Sequence, residues 1–568
     1  MIFPLISILI LIISLFLILF SDWKSASRIS LISILLSFVL FIPSYTEVNQ
    51  SFSMLLFSFG NFSIHISIYL GMINLIFAYI ILLIGIFVNI YSIEYIDKVS
   101  QHKRYFATLT LFEISILLFS ISGNLFTMFI GWEYLSLTSY MLIGFYETKE
   151  ANKSARLVGS VIFISDILFI AGLAIFYLSL STSNISYIIN NFNVKNQAMS
   201  VALLLILAAS LIKSAQFPFE EWLIHAMQAP TPISAYLHSA TLVKAGTFVI
   251  LLLAPLINAY GFSNVLVYIA IITLFFASIS ALFNFHIKKI TAYSTISEMS
   301  LIFLAIGLGN LYAAEFLFIA QAFYKVLLFF IIGILYKAND TEDIRNIYGI
   351  KSSKMLYASV LIGIFSATGL VPLSTYYFDV LLDNNISSTI LILLLVIEFL
   401  TYLYFMRLLN FIKRPSKLDL FNFSKVGKIM KMPTYLFTIF NIILLPILFY
   451  YYRNRFVSIQ NISYIIDAFI GLAFAALAFI IYRNIKYGNE DEDYITTKSI
   501  NYLYNLFGSL LYDLSIGISI INDFVETYAY SLSSKILYTG ERYKFISIEK
   551  ALIVVFGIFI IVVVSLIY

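Results

Sequence analysis

The chain has 568 residues, of which 61% are hydrophobic and 11% are charged, and its mean hydropathy is +0.96. Soluble domains are typically about 45–50% apolar and about 25% charged, so this composition excludes a soluble globular protein. The net charge of +4 is too small to indicate a nucleic-acid partner, and the absence of cysteine excludes disulfides, thiol catalysis and iron–sulfur ligation by this chain.

Apolar runs of membrane length recur along most of the sequence. A bilayer core takes roughly 20 helical residues, so the sequence predicts an all-α polytopic membrane protein with about sixteen transmembrane helices. The first run has no basic n-region and no cleavage site, so it is predicted to be a retained span and not a signal peptide. The predicted spans are 1–20, 29–43, 66–90, 106–121, 123–144, 157–180, 199–217, 232–254, 264–284, 290–309, 312–336, 355–382, 388–411, 433–452, 463–482 and 549–568.

The charges that flank these spans predict the orientation of the chain. When alternate loops are grouped, 22 basic residues fall in one set and three (Lys195, Arg453 and Arg455) fall in the other. Lysine and arginine near the ends of spans stay on the cytoplasmic side of a membrane. The N-terminus is therefore predicted to lie outside.

Proline interrupts the helical pattern beside ionisable residues at two places. Pro218 follows Lys213 in the seventh span, and Gly369 and Pro372 precede Asp379 in the twelfth. Paired interruptions are typical of inverted-repeat transporters, so we expect two inverted five-helix repeats. A kink that serves only packing is the alternative for Pro372. The predicted organisation is N-terminal helices at 1–105, a first repeat at 106–254, a second repeat at 264–411 and additional helices at 412–485.

The residue pattern of the C-terminal region is typical neither of a soluble segment nor of a membrane span. An acidic run begins at Glu490, and apolar and charged residues are mixed from about 496 to 545. This pattern predicts a lateral amphipathic helix on the cytoplasmic face over 490–548, followed by an anchoring transmembrane helix at 549–568. A pair of short surface helices is the alternative.

Ionisable residues inside the predicted spans are the main indication of function. A charge at the bilayer centre costs about 2.5–3.5 kcal/mol even on lenient scales, so such residues are by default functional. A series of titratable groups bridged by water is what a proton path requires. They include Glu113, Glu133, Asp166, Lys213, His238, Lys244, Glu298, Lys325, Asp379, Glu398 and Arg407.

Two local arrangements favour that interpretation. Glu133 is expected to face Lys213, and a carboxylate that moves or is protonated would change the proton affinity of the lysine. A static ion pair between helices is the alternative. It is less favoured because Lys325 and Asp379 place a second lysine and carboxylate inside later spans. His238 and Lys244 are six residues apart, about 9 Å along a helix, a spacing that water can bridge.

Four stretches of the sequence resemble a known family. They resemble the antiporter-like subunit L of proton-pumping NADH-quinone oxidoreductase (respiratory complex I), and the large Mrp-type sodium/proton antiporter subunits with the same core. The resemblance runs from about residue 60 to 410, and the tail is similar to the lateral helix and last span of subunit L. The stretches are GWEYLSLTSYMLIGFY (131–146), KSAQFPFEEWLIHAMQAPTPISAYLHSATLVKAG (213–246), IKKITAYSTISEMS (287–300) and QAFYKVLLFF (321–330).

The resemblance implies a role for several of these residues. Glu133 and Lys213 resemble the paired carboxylate and lysine of the first half-channel, with Asp166 as a neighbouring carboxylate. His238 resembles the connecting residue, and Lys325 resembles the central lysine of the second half-channel.

Three positions depart from the subunit L pattern. Gln321 stands where subunit L usually has histidine, and Asp379 stands where it usually has lysine. Lys244 is more similar to the Mrp pattern. The exit through the second half-channel, past Asp379, is therefore the least subunit L-like part of the path.

The resemblance implies a proton-translocating subunit of a complex I-like NADH (or other donor)–quinone oxidoreductase, a translocase, with no redox centre or cofactor in this chain. Its partners would be other antiporter-like and small membrane subunits, lipid, and a peripheral redox arm with Fe–S clusters and quinone. The alternatives are an Mrp-type Na⁺/H⁺ antiporter subunit and the membrane arm of a hydrogenase or inorganic-carbon uptake complex. The abundance of Ile, Tyr, Asn and Lys indicates an AT-rich genome, which favours a plasma membrane over the mitochondrial inner membrane.

Overall fold

The structure is a computed structural model that describes residues 1–483, with gaps at 60–61, 97–100, 191–195, 351–352, 383–385, 415–424 and 457–460. The predicted lateral amphipathic helix at 490–548 and the predicted last span at 549–568 lie outside the described residues. The described part is mostly helical, and helices occupy each of the first fifteen predicted spans. Nine candidate spans in this part are long and apolar enough to cross a membrane, so the figure of sixteen stays a prediction.

The N-terminal region contains the one correction to the all-α prediction that the described residues require. Ser51–Phe59 and Phe62–Tyr69 form two antiparallel strands with Ser51 opposite Tyr69, and the third span begins at Met72 and not at residue 66. Polar and apolar residues alternate from Ser63 to Ile68, which is the period of a strand and not of a helix. The elements are α1 (Ile2–Phe20), α2 (Trp23–Phe41), β1 (Ser51–Phe59), β2 (Phe62–Tyr69) and α3 (Met72–Tyr95).

The helices of the two predicted repeats follow in chain order, and two more come after them. Those of the first are α4 (His102–Ser120), α5 (Leu125–Ile143), α6 (Lys149–Leu180), α7 (Ile185–Asn190), α8 (Gln197–Lys213), α9 (Glu221–His225), α10 (Thr231–Ser239), α11 (Leu242–Leu252) and α12 (Ala254–Ala259). Those of the second are α13 (Ser263–Phe283), α14 (Ile287–Gly307), α15 (Leu311–Asn339), α16 (Lys354–Thr368), α17 (Ser374–Leu382) and α18 (Ser388–Ile412), and the last two are α19 (Lys428–Phe456) and α20 (Asn461–Arg483).

Polar side chains fix where the central helices begin. Asn124 accepts a hydrogen bond from the backbone of Thr127 at the start of α5, and Thr148 does the same for α6. Asn310 caps α15 in the same way. Each satisfies a backbone N–H that the first turn of a helix leaves without a partner.

Three interruptions bring irregular backbone into the bundle. The predicted breaks are present, because α8 ends at Lys213 and α16 ends before Gly369, whose φ is +79°. A third break, at Ala240 and Thr241, separates α10 from α11 and was not predicted, since neither proline nor glycine marks it. There the Thr241 hydroxyl donates a hydrogen bond to the carbonyl oxygen of Tyr236, which keeps that carbonyl satisfied.

Helix α15 is at the centre of the bundle. Its most apolar stretch is completely buried, and those of α14 and of the α10–α11 pair are nearly so. Helices α2 and α18 lie at the periphery and expose apolar side chains such as Leu36 and Ile392. Lys244 on α11, Glu298 on α14 and Lys325 on α15 are therefore buried inside the bundle and away from its outer surface.

Gly246 on α11 allows that helix to touch α8. A Cβ atom at this position would overlap the carbonyl oxygen of Ser210 and the hydroxyl of Ser214. We expect Gly246→Ala to destabilise the purified protein by about 1–3 kcal/mol, although alanine is the better helix former. The measurement is the thermal unfolding midpoint in detergent. Gly144→Ala is the control, because its Cβ would approach no atom more closely than the Cβ of Ala155 at 3.3 Å, and an equal effect of both substitutions would contradict the packing argument.

Candidate functional site

Within the described ranges, three lysine side chains in the predicted spans are completely buried. Lys213, Lys244 and Lys325 each have 0% exposure and lie on α8, α11 and α15. A buried ammonium group is stable only where oxygen atoms or aromatic rings replace its hydration. The partners of each lysine therefore indicate how the site works.

Lys213 is held by α5 and α6. Its Nζ lies 3.0 Å from Oδ1 of Asp166 and donates hydrogen bonds to the Ser136 hydroxyl at 2.5 Å and the Trp132 carbonyl at 3.3 Å. The Nζ also lies 4.0 Å from the centre of the Trp132 ring. Because Lys213 is the last residue of α8, this cluster lies where the seventh predicted span is broken.

Glu133 does not make the contact that was expected of it. Among the described residues, Lys213 has its ion pair with Asp166, and Glu133 is half-buried and outside ion-pair distance of the lysine. Successive residues of a helix are turned by about 100°, so the face of α5 that carries Trp132 and Ser136 to Lys213 turns Glu133 aside. Asp166 therefore makes the direct contact with Lys213. Glu133 comes directly after Trp132, the residue whose ring lies beside the lysine.

Lys244 connects the two halves of the site. Its Nζ donates a hydrogen bond to the carbonyl oxygen of Phe318 on α15 and lies 4.6 Å from the centre of the Phe318 ring. In the described part of the chain it has no carboxylate within ion-pair distance. Its helix, α11, packs against both α8 and α15.

His238 is buried against α15. Its ring stacks on Phe329 with the ring centres 5.4 Å apart, and neither ring nitrogen has a hydrogen-bond partner among the described residues. The break at residues 240–241 puts His238 and Lys244 on different helices, so the expected spacing along one helix axis is wrong. A relay between them depends on water and not on helical spacing.

Lys325 forms the second buried ion pair. Its Nζ lies 2.9 Å from Oε1 of Glu298 and donates a hydrogen bond to the Ser294 hydroxyl at 2.5 Å. Ser294 and Glu298 are one helical turn apart on α14, and both therefore face α15. The sequence analysis counted Glu298 among the charges inside spans but gave it no role. The Ser-x-x-x-Glu spacing of Ser294 and Glu298, which puts both on one helix face, was the signal that could have identified it.

Asp379 lies at the second helix break, beside a cavity. A Cβ atom at Gly369 would be 3.0 Å from Oδ2 of Asp379. The cavity has a volume of about 80 Å³, and four carboxylates line it: Glu298, Asp379, Glu398 and Asp467. Hydroxyl groups of Thr368, Thr375 and Thr401 also belong to its walls. A cavity of this size and polarity is large enough to hold several water molecules.

Other charged residues of the spans have structural partners. Arg407 donates a hydrogen bond at 3.2 Å to the Ala281 carbonyl oxygen and thereby joins α18 to the end of α13. Glu113 is completely buried and accepts a hydrogen bond from Asn89 at 2.7 Å. Among the described residues, no group of three or more His, Asp or Glu side chains is arranged to hold a metal ion.

A further charged cluster lies in the predicted cytoplasmic loop after α15. Glu342 accepts from His286 at 2.7 Å and pairs with Lys288 at 2.8 Å. Partial burial alone would raise the pKa of the Glu342 carboxyl, but the His286 hydrogen bond and the Lys288 charge outweigh burial and lower the pKa to about 2. The cluster ties the start of α14 to the loop that follows α15.

Two family models match the chain. One, described as "NADH:quinone oxidoreductase/Mrp antiporter, TM", matches residues 122–404, and the other, "NADH-Ubiquinone oxidoreductase (complex I), chain 5 N-terminus", matches residues 56–106. The first range contains both buried ion pairs, together with Glu133, His238, Lys244 and Asp379.

Known proteins of two kinds are similar to the chain. It is 35% identical over 313 residues to a Staphylococcus aureus (strain MRSA252) protein named as antiporter subunit mnhA2, a match that covers 51% of the chain and 39% of that protein. It is 33% identical over 303 residues to NADH-ubiquinone oxidoreductase chain 5 of Cryptococcus neoformans var. grubii. That match covers 52% of the chain and 46% of the relative. The matches thus span less than half the length of these relatives.

A solved structure has a similar fold. The Mrp complex from Dietzia sp. DQ12-45-1b contains a chain that superposes with a TM-score of 0.71 at 20% identity, covering 99% of this chain and 63% of that one. At this level of identity the likeness concerns the fold alone.

The Glu342 cluster in the loop after α15 predicts that the stability of the protein depends on pH in a testable way. Because the pKa of Glu342 in the folded protein (about 2) lies below the ordinary value of about 4.3, its contribution to stability is present above that ordinary value and is lost as the pH falls toward about 2. We therefore expect Glu342→Gln to lower the melting temperature near neutral pH and the deficit to shrink below about pH 4.

The measurement is thermal unfolding of both proteins in detergent from neutral to acidic pH. Glu150→Gln, which changes an exposed carboxylate in the first turn of α6, is the control and should show a smaller deficit. A deficit of Glu342→Gln that grows on acidification would contradict the assignment.

Proposed function

Because the chain belongs to the superfamily of antiporter-like membrane subunits that complex I and Mrp antiporters share, we propose that it translocates protons within a larger membrane assembly. The observation that carries the proposal is the pair of completely buried lysines, Lys213 and Lys325, each within 3.0 Å of a carboxylate. Static ion pairs of this kind are of little net value to stability, whereas a pump needs groups whose protonation depends on a movable neighbour.

The path begins at Lys213 and Asp166. While the Asp166 carboxylate is beside it, the ammonium group keeps its proton; when that carboxylate moves or is neutralised, the desolvated lysine releases it. Glu133, half-buried beside Trp132, is placed to supply or accept the charge of this exchange. The proton then passes through water near His238 and Lys244 to Lys325, and leaves through the cavity beside Asp379.

The assembly that we propose is complex I-like. In it, Fe–S clusters and quinone belong to partner subunits of a peripheral redox arm, and electron transfer there drives the charge changes along this chain. The chain lies in a prokaryotic plasma membrane with its N-terminus outside, beside other antiporter-like and small membrane subunits. The excess of basic residues in one set of loops supports this orientation.

An Mrp-type sodium/proton antiporter is the second candidate. One observation favours it: the similarity to the staphylococcal antiporter subunit. The same buried lysines would then carry protons in exchange for sodium, with no redox partner.

Substitutions at the first ion pair test proton translocation. We expect Lys213→Ala and Asp166→Asn each to reduce proton transport by vesicles that contain the assembly about 100-fold, the lower end of the range for a positioned proton-transfer group. Native gel electrophoresis should show an intact assembly in both cases. Lys153→Ala, an exposed lysine of α6, is the control and should transport normally. Normal transport by both Lys213→Ala and Asp166→Asn would overturn the proposal.

Affinity purification through a tag on this chain separates the two candidates. Mass spectrometry of the co-purifying proteins should find Fe–S and quinone-site subunits if the assembly is complex I-like. A set of small antiporter subunits without redox proteins would contradict that assignment and favour the sodium/proton antiporter.

A further inference from the structure

Glu298 occupies a position between a buried lysine and a polar cavity. One carboxylate oxygen, Oε1, pairs with Lys325, while the other, Oε2, meets no donor in full hydrogen-bond geometry among the described residues, although Tyr324 and Gln321 lie near the carboxylate. The residue is only 4% exposed and its Oε2 atom is buried, so Oε2 has no contact with bulk solvent. A buried carboxylate oxygen without a partner is costly, and it is tolerated where water or a proton reaches it.

The cavity supplies that water. Glu298 lines it together with Asp379 from α17, Glu398 from α18 and Asp467 from α20, so carboxylates of four helices surround about 80 Å³ of space. Four ionised carboxylates around one small space repel each other, and a shared proton relieves this repulsion. The cavity is thus suited to receive a proton and not to store an anion.

We propose that Glu298 is the proton-transfer residue of the second half of the path, carrying the proton of Lys325 into the four-carboxylate cavity. This inference rests on the proposed function and deepens it. It assigns to Glu298 the direct step out of Lys325 that the sequence resemblance had given to Asp379. Asp379, Glu398 and Asp467 then act after Glu298, as acceptors around the cavity water.

The step is balanced in protons and charge. The ammonium group of Lys325 gives one proton to the Glu298 carboxylate, which leaves a neutral amine and a neutral carboxylic acid. Glu298 then releases the proton from its carboxyl group to water in the cavity and regains its negative charge. Lys325 takes its next proton from the side of Lys244 and His238. No oxidant or reductant is needed.

The test uses the whole assembly in vesicles, driven by the donor or cation gradient that its co-purified subunits identify. We expect Glu298→Gln to reduce proton transport at least about tenfold and Glu298→Asp, which keeps a carboxyl group, to retain part of it. Glu315→Gln is the matched control. Glu315 is a carboxylate on α15 that accepts a hydrogen bond from Tyr452 and does not line the cavity, so this variant should transport normally.

A second measurement distinguishes proton transfer from a positioning role. Infrared difference spectra of the working assembly, recorded in H₂O and D₂O, should show a carboxyl band that Glu298→Gln removes and Glu298→Asp shifts. If Glu298→Gln does not assemble, the comparison of wild type with Glu298→Asp carries the test. Lost transport without such a band in the wild type would overturn the inference, because Glu298 would then only position Lys325.

Lys213→Ala, measured in parallel, separates this inference from the proposed function. If Lys213→Ala abolishes transport and Glu298→Gln transports normally, Glu298 is not the exit residue and the proposed function stands. If both variants transport normally, the proposed function fails together with the inference. Loss in both, with the carboxyl band assigned to Glu298, is the expected result.

Discussion

The cost of placing lysine in a dry helix bundle is the constraint on which the rest of the structure depends. Lys213, Lys244 and Lys325 are completely buried, and each needs oxygen atoms that the bundle must bring to it. Asp166 meets the first lysine, a backbone carbonyl meets the second, and Glu298 meets the third. The central position of α15, which carries Lys325 and the Phe318 partner of Lys244, follows from the same requirement, because α15 serves two of the three lysines.

Helix breaks make this arrangement compatible with a membrane. Irregular backbone at membrane depth is tolerated where it is buried in protein or lines a water-filled space. The break after Lys213 ends α8 at the first ion pair, and the break at Gly369 lies beside the cavity that Asp379 and Glu298 share. Breaks and buried charges therefore occur together, which supports the proposed proton path.

Much of this could be predicted from sequence, and the failures have identifiable causes. Proline marked the breaks at Pro218 and Pro372, and apolar length located the helices. The break at Thr241 had no local signal, and the apolar content of the strands Ser51–Phe59 and Phe62–Tyr69 concealed their strand pattern. The lysines were identified because charge is rare in spans, but their partners were not. Which carboxylate meets which lysine depends on helix rotation and packing, and this is why Asp166 replaces Glu133 at Lys213 and why Glu298 was overlooked.

The central claim is that the two ion pairs exchange protons and are not static contacts between helices. It is tested most directly by experimental structures of the intact assembly, resting and during turnover, in which the Lys213–Asp166 and Lys325–Glu298 separations are measured. The account predicts that at least one pair, 3.0 Å and 2.9 Å apart here, opens in one of the two states. Both pairs closed and unchanged in every state would contradict it.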